Sequence, residues 1–436
     1  MMKKAFTHCN IFTLDEQGTQ YENGCIIVND GTIEYVGEYH DAFVQACDEQ
    51  IDWTGKWVMP GLVNSHVHIV MNVLRGAAED LSLHRWLNEK IWPLESKFTD
   101  EIAEVSAQAA LIEMIKSGTT TFNDMYNPIG LDCTRLYETV KQAGLRGYFS
   151  YTLFTPPDGS SEADTLARAR DVANYIRRDN SLVSTMIAPH SPYACSTGLL
   201  QKSAELAAEL GLRLHIHVSE TEHEVDLIRS QHGLTPVQYL REIGFFQAPA
   251  VFAHGVVLDE QDKEILRETN TTIAHNPVSN LKLGSGIADV AALLEEGIHV
   301  GIATDSVASN NNLDMFEELR IAALLQKGTH RNPELIPVDT ILRMATHQGA
   351  KGLGLAKTGM LKPGFAADFI TIHPTGKIHL TPSNHALSHL VYATNGRDVE
   401  DNVVNGQFLM KDKQLLTLDE ERVSQTLNRL YAEHLQ

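Results

Sequence analysis

VMPGLVNSHVH, residues 58–68, decides how the chain is read. It is an apolar run opened by Pro60-Gly61 and closed by two histidines one residue apart. As a strand, its side chains alternate between faces, so His66 and His68 point the same way. Two imidazoles side by side at the end of a strand are half of a metal site. With 20 histidines in the chain, such a pair also arises by chance, so the rest of the sequence must supply the other ligands.

Outward from this run, short apolar segments alternate with longer helical patterns. After 58–68 the strand candidates are TTTFNDM (119–125), RGYFSYTLF (146–154), VSTMIAPHS (183–191), LRLHIHVSE (212–220), AVFAHGV (250–256), TTIAHNPVS (271–279) and HVGIATDS (299–306). Between them lie helix patterns such as TGLLQKSAELAAELG, which stops on a glycine. Eight strand–helix units in succession predict an α/β fold, a parallel (β/α)8 TIM barrel over residues 58–361. The ends of the chain have a different rhythm. Residues 1–57 and 362–418 carry β-forming runs, with hairpin signals at Asn29-Asp30-Gly31 and Asn405-Gly406. They predict one small β-sandwich domain built from both termini, with residues 419–436 as a closing helix.

A chain of 436 residues with 43% hydrophobic content has room for such a barrel, which needs ~250 residues, and an appended domain. A formal net charge of −21 argues against a nucleic-acid backbone or an anionic membrane surface as partner. Five scattered cysteines without a CxxC pair argue against a disulfide framework and a thiolate metal site. No leader-like apolar segment follows the N-terminal lysines, and no run of ~20 apolar residues occurs, so a soluble cytoplasmic protein is expected.

Functional residues of a (β/α)8 barrel sit at the C-terminal ends of its strands. The titratable residues of this chain gather there: His66 and His68 on the first strand, His190 on the fourth, His215, His217 and Glu220 on the fifth, His254 on the sixth, His275 on the seventh and Asp305 on the eighth. Imidazoles with one carboxylate suit a borderline divalent ion, with a position left for water. His66, His68, His217 and Asp305 make such a set. His215 shares a face with His217, so periodicity alone does not choose between them, although His217 lies nearer the strand end.

With these motifs in place the chain resembles the amidohydrolase superfamily, in its metal-dependent aminohydrolase branch. The resemblance rests on PGLVNSHVH (60–68), LHIHVSE (214–220), FAHG (252–255), HNPVSNLKLG (275–284), IATDS (302–306) and LKPGFAADF (361–369), in order along nearly the whole chain. It implies a metal-bearing barrel flanked by a β-sandwich from both termini, and it favours His217 over His215 as ligand. Two-metal members carry a modified lysine at the end of strand four. VSTMIAPHS has none, so the resemblance is to the one-metal deaminases.

The chemistry expected of such a site is hydrolytic deamination. A bound divalent ion lowers the pKa of its water towards ~7. Glu220, beside His217, can carry a proton to a ring nitrogen, Asp305 is the candidate base, and His254 orients the attacking water. Within the branch, RWLNEKIWPLE (85–95), SPYACS (191–196) and HVSET (217–221) are similar to the deaminases of 5′-methylthioadenosine and S-adenosylhomocysteine. That similarity implies substrate contacts from Glu95, on the ribose hydroxyls, and from His190, with Glu220 and Asp305 at the reacting end. Met71, Trp86, Trp92 and Phe154 are candidates for an apolar wall. Zn2+ is expected by ligand type, and Fe2+, Mn2+ or Ni2+ tolerate the same set. The expected partners are a small nucleoside and further copies of the chain in a homo-oligomer. The alternatives are deamination of guanine, 8-oxoguanine or a pterin, triazine hydrolysis, or cyclic amide hydrolysis. Arg146 opens strand three at the face away from the site, and His275 is expected to hydrogen-bond near the site without binding metal. Asn123 and Asp124 are expected only to stabilise the barrel mouth.

Overall fold

A computed structural model of the chain describes residues 2–126, 130–156, 161–179 and 181–436. The run at 58–68 is two strands rather than one. Trp57–Pro60 pairs antiparallel with Phe369–Ile372 and parallel with Lys3–Phe12, inside the terminal β unit. Leu62–Val67 pairs parallel with Thr119–Tyr126 and opens the barrel. Gly61 is the join. Its N–H bonds Asp368 O at 3.1 Å, and a Cβ there would lie 2.0 Å from Thr120 Cγ2, so only glycine passes between the two sheets. The apolar character is continuous across the join, which is why the sequence reads as a single strand.

Eight parallel positions then follow in order around a barrel. Leu62–Val67, Thr119–Tyr126, Arg146–Leu153 and Ala188–Pro189 form one arc, with Val183–Ser184 beside the third. Leu214–Val218, Ala250–His254, Thr272–His275 and His299–Ile302 form the other. Single bridges between Ile187 and Leu214 and between Val67 and Asp305 join the arcs into a ring. Val63, Tyr148, Met186, Val251, Ala274 and Ala303 fill its N-terminal end as an apolar plug, which leaves the histidine-bearing ends on the opposite face. The helices between the strands start where the local chemistry supplies an acceptor. Ser196, Thr221, Thr235 and Asp259 cap four of them, and Gly211 closes Thr197–Leu210 with a φ of 63°.

The terminal β unit is one nine-stranded sheet that folds back on itself. Lys4 Nζ, on the strand Lys3–Phe12, reaches Gly406 O at 3.1 Å, and Ile33 N, on the edge strand Thr32–Glu38, reaches Phe365 O at 2.8 Å, so the N-terminal strands fold over the C-terminal ones. Phe6, Trp53 and Phe369 fill the space between. Both hairpin signals form turns, with Asp30, Gly31, Asn405 and Gly406 all at positive φ. Residues between Ile372 and Val399 depart from the expected all-β tail. They run through 3-10 turns and the helix Ala386–Tyr392, burying Leu380, Leu390 and Val391. The helix Glu420–His434 lies on Asp100–Lys116 through buried Val423 and Leu430, with Lys116–Glu420 and Arg429–Glu101 ion pairs of 2.6 and 2.7 Å. Arg146, at the far face, is paired with buried Asp368 at 2.6 Å and ties the barrel to the β unit. Among the described residues no helix is long and apolar enough to cross a membrane.

Candidate metal centre and active site

The strand ends bring His66, His68, His217, His254 and Asp305 together. His66 Nε2 and His68 Nε2 lie 3.4 and 3.3 Å from Asp305 Oδ1. His217 Nε2 is 3.3 Å from His68 Nε2. One ligand atom from each of His66, His68 and Asp305 falls within 4.8 Å of the others, and the same holds for His66, His217 and His254.

The opposite edge of each ring explains this convergence. His68 Nδ1 is 2.6 Å from Met125 O, and His217 Nδ1 is 2.8 Å from His190 O. A carbonyl only accepts, so each Nδ1 carries the proton and each Nε2 presents a lone pair. His66 Nδ1 is 2.9 Å from His215 Nε2, while His66 Nε2 is buried with no hydrogen-bond partner among the described residues. A buried, unpartnered nitrogen aimed at a carboxylate and two further Nε2 atoms is what a divalent cation would satisfy. Burial pushes the His66 imidazole down to about 4 and lowers His217 as well, so both are neutral near pH 7. Burial works against ionisation of Asp305, but His66 and His68 beside it hold its carboxyl well below the usual range. Neutral His66 and His217 beside an ionised Asp305 are the protonation states that metal binding demands. At His68 burial works the same way, but the Asp305 carboxylate outweighs it and raises the pKa, so its proton would be released as a metal binds.

The geometry separates the two histidines that periodicity leaves equivalent. His217 faces the cluster, whereas His215 Nε2 is spent on His66 Nδ1 and is approached by Asn123 Nδ2 at 3.4 Å. His275 differs from expectation. It is buried, but neither ring nitrogen has a hydrogen-bond partner among the described residues, and burial lowers its pKa to about 3. Asn123 and Asp124 hold strand two to strand one, through Asn123 Nδ2 to Ser65 O (3.0 Å) and Ile69 N to Asp124 Oδ1 (2.9 Å).

Glu220 lies at the edge of the cluster. Its Oε2 is 3.5 Å from His254 Nε2, and its Oε1 accepts from Ser285 Oγ at 3.3 Å. Burial raises its pKa, which suits a carboxyl that must hold a proton before giving it up. His254 Nδ1 is 2.9 Å from Asn280 Oδ1, leaving Nε2 towards Glu220 and the cluster. Asp305 Oδ2 accepts from Ser279 Oγ (2.6 Å) and Ser309 Oγ (2.9 Å), leaving Oδ1 for the histidines. Ser219, His254 and Asp305 hold positive φ values of 55°, 77° and 61°. Such strain, at ~1–3 kcal/mol each, gathers here at the strand ends that carry the cluster.

A cavity opens above the cluster. Glu95 and His190 line it beside Glu220 and Asp305, as do Met71, Trp86, Trp92 and Phe154. Its roof is the helical segment Leu83–Glu95, which crosses the barrel mouth with Trp86, Leu87 and Ile91 turned inward. Glu95 is only 5% exposed, so it is not a solvated helix end. His190 packs on Phe154 with ring centroids 4.6 Å apart, and burial lowers its pKa to about 3, so it meets a ligand as neutral imidazole. Tyr193 and Leu283 also line the cavity; both lie in motifs that carry the resemblance, SPYACS and HNPVSNLKLG, but nothing in the sequence marks either as a site residue. Ser279-Asn280 and Ser309-Asn310 did carry one: the same dipeptide follows strands seven and eight.

Comparison with known proteins agrees with this geometry. A sequence profile described as "Amidohydrolase family" matches residues 57–409. A 5-methylthioadenosine/S-adenosylhomocysteine deaminase of Bacillus cytotoxicus is 51% identical over 423 residues, 97% of each chain. An adenosine deaminase from Xanthomonas campestris, solved with bound zinc, superposes with a TM-score of 0.92 at 29% identity, covering 99% of this chain and 98% of that one. Atrazine chlorohydrolase from Arthrobacter aurescens, complexed with zinc, has a TM-score of 0.87 at 24% identity over 98% and 99%, and shows the shared fold alone.

Proposed function

The chain belongs to the amidohydrolase family, and on that premise we propose that it deaminates adenosine-type nucleosides by metal-dependent hydrolysis. The substrates are 5′-methylthioadenosine and S-adenosylhomocysteine, and the products are the inosine analogue and ammonia. The enzyme is a hydrolase of cyclic amidine C–N bonds. The carrying observation is the convergence of three Nε2 atoms and Asp305 Oδ1 beneath a cavity that also holds Glu95 and Glu220. Relatives at half identity over nearly the full length are methylthioadenosine/S-adenosylhomocysteine deaminases, which disfavours the guanine, pterin, triazine and cyclic amide alternatives.

His66, His68, His217 and Asp305 hold the ion in this reading, and zinc suits their nitrogen and oxygen donors. Bound there, the ion would supply a water acidic enough to attack at neutral pH. Asp305 Oδ1 takes the proton that the attacking water loses, while Ser279 and Ser309 fix Oδ2. His254 Nε2 orients that water. Glu220 delivers its proton to the purine nitrogen beside C6, so negative charge does not build on the ring as the C6–O bond forms. Asp305 then returns its proton to the amino group, which leaves the tetrahedral carbon as ammonia, and the C6 hydroxyl proton passes to Glu220 as the C6=O bond forms. Glu95 accepts the ribose hydroxyls, and His190 contacts the nucleoside. The barrel, expected over residues 58–361 but opening at Leu62 past the Gly61 join, is the catalytic domain, and the β unit from 1–60 and 362–418 buttresses it. Leu281 and Leu324, both exposed in one shallow groove, support assembly into a homo-oligomer.

The test is ammonia release from 5′-methylthioadenosine, S-adenosylhomocysteine, adenosine, guanine and a pterin. Turnover of the adenosine derivatives supports the reading. Turnover confined to guanine or the pterin would refute it.

A further inference from the structure

Glu224 is a buried carboxylate without a cation. It is 2% exposed, and among the described residues its oxygens meet backbone N–H groups rather than a lysine or arginine. A carboxylate is costly in such a place unless its oxygens are used. Here both are used on backbone: Oε1 accepts from Ser219 N at 3.0 Å and Oε2 from Glu220 N at 2.8 Å. Glu224 is the third residue of the helix Glu222–His232, whose cap is Thr221. An ordinary capping box would send such a glutamate to the N–H of the cap residue itself. Glu224 instead reaches one and two residues further back, to the residue that carries the acid–base carboxyl and the one before it.

The other side of that turn is held as well. Ser219 O accepts from Val256 N and Val257 N, both at 2.9 Å, in the loop that follows His254. Ser219 has a φ of 55°, a conformation a serine keeps only when its surroundings impose it. The three-residue link between the strand ending at Val218 and the helix is therefore clamped on both faces, with Glu220 in its middle.

We propose that Glu224 is a positioning residue for the known reaction class: its carboxylate fixes the backbone of Glu220, so that the Glu220 side chain reaches the purine nitrogen. The proposal rests on the assignment of Glu220 as proton carrier. Proton transfer is steep in distance, and a misplacement of about 1 Å costs about 10²-fold. Replacing Glu224 with glutamine turns one of its two acceptors into a donor facing a backbone N–H. Nothing in the nucleoside cavity or the metal cluster is altered.

The test measures Glu224→Gln and Glu220→Gln beside the parent, as metal-loaded full chains. For Glu224→Gln, kcat should fall about 10- to 100-fold, with KM within about threefold and metal content per chain unchanged. The solvent deuterium isotope effect on kcat should rise, because the proton transfer has become the slow step. A merely structural role would lower stability and metal content together and leave the isotope effect where it was. If Glu224→Gln does not fold, Glu224→Asp keeps the charge but draws the carboxylate back by one methylene, and the same changes are expected. The proposal is overturned if kcat stays within twofold of the parent, or falls only in proportion to lost metal, while Glu220→Gln abolishes turnover. If Glu220→Gln itself stays active, the proton-carrier assignment fails first and takes this inference with it.

Discussion

His215→Phe should weaken metal binding without removing a ligand. The ring it removes is buried and accepts from His66 Nδ1 at 2.9 Å. Phenylalanine has a similar size and plane but no acceptor. His66 then has two choices. In the metal-free chain it can move its proton to Nε2, where Asp305 Oδ1 waits at 3.4 Å, so little stability is lost. In the metal-bound chain Nε2 must stay deprotonated, and the Nδ1–H is left buried without a partner. An unsatisfied buried donor costs about 1–3 kcal/mol. That range corresponds to roughly a 5- to 150-fold loss of metal affinity and overlaps the ~10–100-fold typical of residues that orient a metal ligand. The assay is competition for Zn2+ against a chromophoric chelator at fixed pH, with thermal melts of the metal-free and metal-loaded chains. Affinity should fall within that range, and the melting temperature of the loaded chain should drop more than that of the metal-free chain. An unchanged affinity would refute the claim that His215 orients His66. A loss beyond about 10⁴-fold would mean that His215 is itself a ligand.

Glu95→Gln should weaken its hold on the ribose: hydrogen bonds to a charged group are worth about 1.5–3 kcal/mol each, so kcat/KM for ribonucleosides should fall about 10²-fold. The preference for adenosine over its 2′-deoxy form should shrink towards one, and an unchanged preference would remove Glu95 from the ribose. Arg146→Met leaves Asp368 buried without its partner and should destabilise the chain by about 3–5 kcal/mol in denaturant melts, with kcat of the folded fraction within twofold. A matching loss of kcat would place Arg146 in the site. Burial pushes the Glu224 carboxyl up to about 7, above its unfolded value of ~4.3. The folded chain therefore binds this proton more tightly, and the stability it contributes is present at low pH and is lost as pH rises through about 7. The melting temperature of the parent minus that of Glu224→Gln should accordingly fall between pH 5.5 and 8, and a flat difference would contradict the burial argument.

The barrel was legible because parallel strands buried on both faces read as short apolar runs, and their titratable ends stand out against them. His66 and His68 show as a pair because the strand period is two. The same period hides the difference between His215 and His217, since both point inward. What separates them is which partner each ring edge meets, His190 O for His217 and the His66 imidazole for His215, and such contacts leave no trace in a single sequence. Gly61 was hidden for a related reason, because two sheets of equal apolarity meet there. The role of Glu224 was invisible because a glutamate in the first turn of a helix looks like an ordinary cap. The roof over the cavity was only partly legible. Trp86 and Trp92 drew notice as aromatics, but the burial of Glu95 depends on a helix folded across the barrel mouth, which is a tertiary fact.

The most direct test of the whole account is one preparation of the parent chain and one of Glu220→Gln. Divalent metal per chain and conversion of 5′-methylthioadenosine are measured on the same samples. One ion per chain in both, with the inosine analogue and equimolar ammonia formed only by the parent, is the expected result. Two ions per chain, no conversion by a parent that holds its ion, or a Glu220→Gln variant that keeps most of its turnover would contradict it.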